Sequence, residues 1–247
     1  MERVQPLFWP RMKAFWLTLG VIFGAGLIWV LWHGYQTSFL LLHSLRASWL
    51  DMLMPHFTHL GDGVILTVCI SLMLLRQDKA LIVTTILGML LIGLLIGQLK
   101  HQLFDDWLRP AAVFTGEGKV HLISLGRELF HAFPSGHAAA AAGMMFFAAF
   151  AWSERYPWVG AGAALMVGLI GYSRIYIGVH FVGDILAGIV TGLLITGTTL
   201  AVAYPALSRW FSGFSPRTHA YWTAGLLTLG ILVLTADIYL LYDTYYR

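Results

Sequence analysis

Stretches of about twenty apolar residues recur along this chain, and a run of that length matches the thickness of a bilayer core. They fall near residues 14–33, 62–75, 80–99, 136–152, 158–173, 183–203 and 221–241, with few charges inside them. With 58% of its residues apolar, 11% charged and a mean hydropathy of +0.74, the chain lies outside the range of soluble domains. The expectation is an all-α, polytopic membrane helical bundle with about seven transmembrane spans, forming a single domain over 1–247. In that scheme residues 204–247 supply a C-terminal loop and an extra span. The first run is too long for a signal-peptide core and is expected to remain as an anchor. Cys69 is the sole cysteine, so neither a disulfide framework nor a cysteine metal cluster is available, and it is expected to fill core space.

The basic residues suggest an orientation. A cytoplasmic N-terminus puts Arg3, Arg11, Lys13, Arg76, Lys79, Arg155, Arg209 and Arg217 inside. Arg46, Lys100, Arg109, Lys119, Arg127, Arg174 and Arg247 then face outward, which calls for another reason to hold them there. The net charge of +3 is dispersed, with no basic aromatic stripe to suggest nucleic acid. No obligate protein partner is evident.

Between the first two runs, residues 36–63 mix apolar and polar side chains and suggest an interfacial helix that stops at Pro55. Residues 101–133 suit a lid or small ordered loop. Residues 204–222 read as a basic, aromatic interfacial loop. Small residues mark close helix contacts: Gly93 and Gly97, Ala138 to Ala142, Gly160, Gly162, Gly168 and Gly171, and Gly188 and Gly192. The absence of a clear internal repeat gives no support to an inverted-repeat transporter.

Three polar clusters sit at the ends of apolar runs, and seven crossings place all three on one outer face: Lys100 to Pro110, Pro134 to His137, and Ser173 to Asp184. A helix N-terminus presents backbone amides and a partial positive charge to an anion. At 134–137 it is led in by Ser135, which adds a hydroxyl, and Gly136, which lets the backbone come close. Lys100, Arg109 and Arg174 supply positive charge, arginine being able to grip two phosphate oxygens. His180 and Asp184, at i and i+4, read as a nucleophile and its orienting carboxylate on the opening turns of a helix. His137 reads as the general acid facing them. With cations neutralising the transferring group, neither a metal nor any other cofactor is required.

The pattern K-x8-RP, PSGH, SR-x5-H-x3-D over residues 100–184 resembles the type 2 phosphatidic acid phosphatase superfamily, which includes lipid phosphate phosphatases, glucose-6-phosphatase and vanadium haloperoxidases. The resemblance implies a six-helix core from about residue 62 to 203. It also implies a phosphohistidine on His180, oriented by Asp184, with His137 as the acid and phosphate held by Lys100, Arg109, Ser135, Gly136, Ser173 and Arg174. The substrate would be a lipid phosphate or diphosphate at the outer leaflet of a bacterial inner membrane. Undecaprenyl diphosphate, phosphatidylglycerophosphate, phosphatidic acid and the 1-phosphate of lipid A all fit. A lipid phosphotransferase using the same histidines, and a non-catalytic anion- or lipid-binding or transport protein, are the alternatives.

In one respect the chain departs from the family. Eight residues separate Lys100 from Arg109, where the family usually has six. At about 100° per residue, that spacing puts the two on opposite faces of a straight helix. A turn or bulge near Asp105 and Asp106 is therefore expected. Among the other histidines, His33, His43, His56, His59, His101, His121 and His219 read as satisfied interfacial residues, while His131 is placed to line the mouth. Glu117, Lys119, Arg127 and Glu128 read as solvated lid charges, and Asp237 as a residue reaching the interface.

Overall fold

Each of the seven apolar runs forms a helix in the structure, a computed structural model that describes residues 8–115, 120, 122 and 129–246. Arg3, Glu117, Lys119, His121, Arg127, Glu128 and Arg247 lie outside the described residues, as does the side chain of Asp237. A short turn α1 (Phe8–Arg11) leads into α2 (Lys13–His33), which ends where Gly34 takes a left-handed φ of 79°. That reversal starts α3 (Tyr35–His43), followed by α4 (Ser48–Leu60) and α5 (Gly63–Leu74), and the last two meet at a 67° bend. Asp62 makes the bend possible by capping α5, accepting the Val64 amide at 2.7 Å.

Asp78 caps α6 (Lys79–Gln98) in the same way, through the Leu81 amide at 2.9 Å. A π-helical turn, Leu99–Leu103, then carries Lys100, and the turn expected near Asp105 and Asp106 follows it before α7 (Pro110–Val113). The remaining helices are α8 (Gly136–Trp152), α9 (Pro157–Tyr176), α10 (Val182–Ser212) and α11 (Pro216–Tyr246). Among the described residues, five helices, α2, α6, α9, α10 and α11, are long and apolar enough to cross a membrane, and the bent α4–α5 pair makes six if counted as one span.

The shorter α8, of 17 residues, sits at the centre, packed on α10, α9, α6 and α5. Its run of Ala138 to Ala142 is buried throughout. The crossing with α10 is a backbone contact: a Cβ on Gly192 would lie 2.2 Å from the Ala139 carbonyl oxygen, and one on Gly188 would lie 2.4 Å from that of Ser135. Only glycine fits there. The rim of the bundle is looser, with α11 resting mainly on α5.

Several sequence expectations change. Pro55 lies inside α4, which runs on to Leu60, and the interfacial segment is two helices. Burial of Met54 and Thr58 against α9 outweighs the single hydrogen bond that proline forfeits. Pro205 likewise lies inside α10, so the expected loop at 204–222 shrinks to the residues between Ser212 and Pro216. Trp210, Phe211, Phe214 and Trp222 meet edge to face and close that hairpin. Gly93, Gly97 and Gly162 face open space and are not helix contacts. Cys69 is exposed on α5, between the inward-facing Val68 and Ile70.

Candidate active site

The three polar clusters, distant in sequence, converge at one end of the bundle. His180 lies just before α10, with Phe181 as the capping position, so it is not on the helix as its spacing from Asp184 suggested. The pair forms nonetheless: Asp184 Oδ2 sits 3.2 Å from His180 Nδ1 and accepts the Phe181 amide at 2.9 Å. A carboxylate at the third position of a helix can reach back to the capping amide, and here that reach also orients the imidazole. With Nδ1 turned to Asp184, Nε2 is the ring nitrogen that faces away from the carboxylate.

The entry to α8 is tied to the same point. The Ser135 amide donates to the Asp184 carbonyl at 3.0 Å, and the Ser135 hydroxyl caps α8 by accepting the Ala138 amide at 3.4 Å. A Cβ on Gly136 would meet only Ile96, at 3.6 Å, so the space beside the first turn is open to a ligand. His137 follows, lining a cavity of about 190 Å³ with Gly61, Gly63, Ile92, Gly93 and Ile96.

The cations close around both histidines. Arg174, Arg109 and Lys100 all act on the charge of His180, and Arg174, Lys100 and Arg109 on that of His137. His180 is 1% exposed. Burial, with Arg174, Arg109 and Lys100 adding to it, holds its pKa well below the ordinary 6.5 and keeps the imidazole neutral. The turn after Leu103 brings Lys100 and Arg109 to the same side despite the eight-residue spacer. Arg109 is fixed there through its Nε, which donates to the Phe130 carbonyl at 3.0 Å, and through its amide, which donates to that of Leu129 at 2.8 Å.

Ser173, expected as a phosphate ligand, is turned elsewhere. Fully buried, its hydroxyl donates to the Ile170 carbonyl at 2.7 Å and pairs with Thr58 Oγ1 at 2.8 Å. A step of one residue rotates a helical side chain by about 100°, so Arg174 can face the pocket while Ser173 faces α4. Its hydroxyl therefore joins α4 to α9. Arg46, expected on the outer face, is structural as well: it contacts His43 Nε2 at 2.8 Å, Asp51 at 3.9 Å and the Tyr176 ring.

Sequence reasoning missed two contributors. His59, read as an interfacial residue, bears on the charge of His137. Tyr35 donates its hydroxyl to Asp184 Oδ1. No local signal marks either one, because each reaches the site across a bend or a helix reversal. His43 is satisfied as expected, its Nδ1 lying 3.0 Å from the Ile175 carbonyl. The His101 and His131 rings lie 4.6 Å apart, tilted to each other.

Fold and site together define a polytopic, all-helical membrane enzyme whose basic pocket is built around a pair of histidines. A model of the PAP2 superfamily matches residues 79–208, and the chain belongs to that superfamily. It is 28% identical over 160 residues to phosphatidylglycerophosphatase B of Bacillus subtilis, covering 61% of this chain and 74% of that protein. A shorter match, 47% identical over 51 residues, relates it to a lipid A 4'-phosphatase of Porphyromonas gingivalis, covering 21% of this chain but only 22% of that protein's length. Among solved structures it is similar to Aquifex aeolicus LpxE, with a TM-score of 0.56 and 30% identity over 66% of this chain and 92% of that one. It is also similar to a transmembrane PAP2-type phosphatidylglycerolphosphate phosphatase from Bacillus subtilis, with a TM-score of 0.50 and 25% identity over 76% of this chain and 94% of that one.

Proposed function

We propose that this protein hydrolyses a lipid phosphate or diphosphate through a phosphohistidine on His180. The observation that carries the reading is the convergence of a buried, carboxylate-oriented His180 with Lys100, Arg109, Arg174 and His137 in one pocket. Such a site neutralises a phosphoryl group and offers it a nucleophile and a proton donor. The lipid phosphatases among its relatives support the substrate class. Candidate substrates are phosphatidylglycerophosphate, phosphatidic acid, undecaprenyl diphosphate and the phosphates of lipid A.

In the first step His180 Nε2 attacks phosphorus and the bond to the leaving oxygen breaks. Lys100, Arg109 and Arg174 balance the equatorial oxygens, with Gly136 at the helix entry providing an amide. The arriving phosphate anion favours the charged form of His137 against the surrounding cations, and His137 gives its proton to the leaving oxygen. Asp184 keeps the proton on His180 Nδ1 and stabilises the ring as it becomes charged. In the second step His137 removes a proton from water, the water oxygen bonds to phosphorus, and the P–N bond breaks to release phosphate.

The pocket is assigned to the outer leaflet of a bacterial inner membrane, with the N-terminus cytoplasmic by the positive-inside rule. The cavity beside His137 gives an apolar flank for the first part of a lipid tail. The test is release of inorganic phosphate from a panel of lipid phosphates by the purified protein in detergent. His180→Ala should lower kcat by about a hundredfold or more, and Asp184→Asn should lower it less. Full activity in His180→Ala would end the phosphohistidine reading.

A further inference from the structure

Tyr35 belongs to none of the three polar clusters and precedes the matched family region, yet it touches the reacting pair. Gly34, at φ 79°, ends α2 and aims the first residue of α3 back over the start of α10. There the Tyr35 ring covers Gly183 so closely that a Cβ on that glycine would lie 2.4 Å from it. Phe181 packs beside the ring at 4.7 Å. The hydroxyl donates to Asp184 Oδ1, and it accepts the Trp107 indole N–H at 3.2 Å. Burial and then the charge and hydrogen bond of Asp184 raise the Tyr35 pKa above the ordinary 10, against the smaller opposing effect of Trp107, so it remains a donor.

The two oxygens of Asp184 are thus divided. Oδ2 serves His180 and the Phe181 amide, and Oδ1 receives Tyr35. Trp107, at the other end of the chain of contacts, lies in the spacer between Lys100 and Arg109, and its carbonyl accepts the Ala132 amide at 3.0 Å. The longer spacer in this chain carries an indole to the tyrosine that holds the orienting carboxylate.

We propose that Tyr35 is a positioning residue for the reaction, acting through Asp184 on His180 and linking that pair, by way of Trp107, to the loop that bears the phosphate-binding Lys100 and Arg109. The inference rests on the phosphatase reading above. A carboxylate that accepts a hydrogen bond from Tyr35 is a weaker partner for an imidazolium, so Tyr35 helps keep His180 neutral before attack and holds the carboxylate in register with Nδ1. The charged and titratable groups facing His180 are Asp184 from α10, Arg174 from α9, His137 from α8, and Lys100 and Arg109 from the spacer and its ends.

The test compares wild type, Tyr35→Phe and Trp107→Phe in detergent, with phosphatidic acid as substrate and an aryl phosphate as the soluble comparison. Tyr35→Phe should lower kcat about tenfold and leave KM within about twofold. The acidic limb of its kcat/KM profile should move to higher pH by about half a unit to one unit. Trp107→Phe should move the limb the same way by less. An unchanged limb in Tyr35→Phe, whether or not kcat falls, would overturn the proposal, because a merely structural tyrosine leaves the proton equilibrium of His180 in place. Melting temperatures in the same detergent identify a folding defect. A wild-type protein that releases phosphate from neither substrate would remove the phosphatase reading itself, and this inference with it.

Discussion

Replacing Gly192 by alanine should damage a site that the new methyl group never touches. The added Cβ would lie 2.2 Å from the Ala139 carbonyl oxygen and 2.9 Å from its carbon. Both are backbone atoms, so no side-chain rotation relieves the clash. An ordinary carbon-to-oxygen contact is longer by about 1 Å, and α10 must shift away from α8 by about that distance. Asp184 lies eight residues earlier on the same helix, about 12 Å along its axis, and the Ser135 amide bonds to its carbonyl. The shift therefore separates the His180–Asp184 pair from His137, which begins α8. A displacement of about 1 Å in a reacting geometry costs on the order of a hundredfold in rate, and overpacking costs about 1–3 kcal/mol in stability. Gly197→Ala is the control, since that glycine is on the same helix with nothing within 4 Å. There alanine should be neutral or slightly stabilising. Phosphate release and thermal melting in one detergent provide both readouts. Wild-type activity in Gly192→Ala, or equal loss in Gly197→Ala, would refute the claim that the α8–α10 backbone contact sets the geometry of the site.

If His137 is the general acid, His137→Ala should lose on the order of a hundredfold on a lipid alkyl phosphate and much less on an aryl phosphate, whose leaving group needs no proton. Equal losses on the two would make it a phosphate ligand. Because burial and then Arg174, Arg109 and Lys100 lower the His180 pKa, the acidic limb of kcat/KM should fall below pH 6.5, and a limb above that value would contradict the charge environment described. The linkage has the same sign for stability: between the folded pKa and 6.5 the unfolded chain binds the extra proton, so this group's contribution rises with pH and is complete above 6.5. Reporter fusions in the turns at 44–47 and 104–109 should read outside, and those at 76–78, 153–156 and 213–215 inside. A cytoplasmic signal at 104–109 would place the pocket on the other face.

Signals that act within one helix were legible in the chain. Hydropathy located all seven apolar helices, because lipid-scale burial depends on composition over about twenty residues. The angular step of a helix was enough to require a turn between Lys100 and Arg109, and the chain breaks there after Leu103. Motif residues identified the cations and the two histidines, and the tertiary fold brings them together. What sequence could not set is whatever depends on how two helices cross. Tyr35 and Asp184 are 149 positions apart, and Thr58 and Ser173 are 115 apart. No spacing rule links such pairs until the left-handed Gly34 reverses the chain and the α4–α5 bend brings Thr58 and His59 inward. The same cause separates the glycines. Gly188 and Gly192 are indispensable where α8 crosses α10, whereas Gly93 and Gly97 face open space, although all four look alike in sequence. Pro55 read as a helix end because proline removes a backbone hydrogen bond, and Pro205 fell within the loop expected over 204–222. Packing of α4 on α9, and of the aromatic cluster between α10 and α11, decided otherwise, since burial between helices outweighs one hydrogen bond lost within a helix.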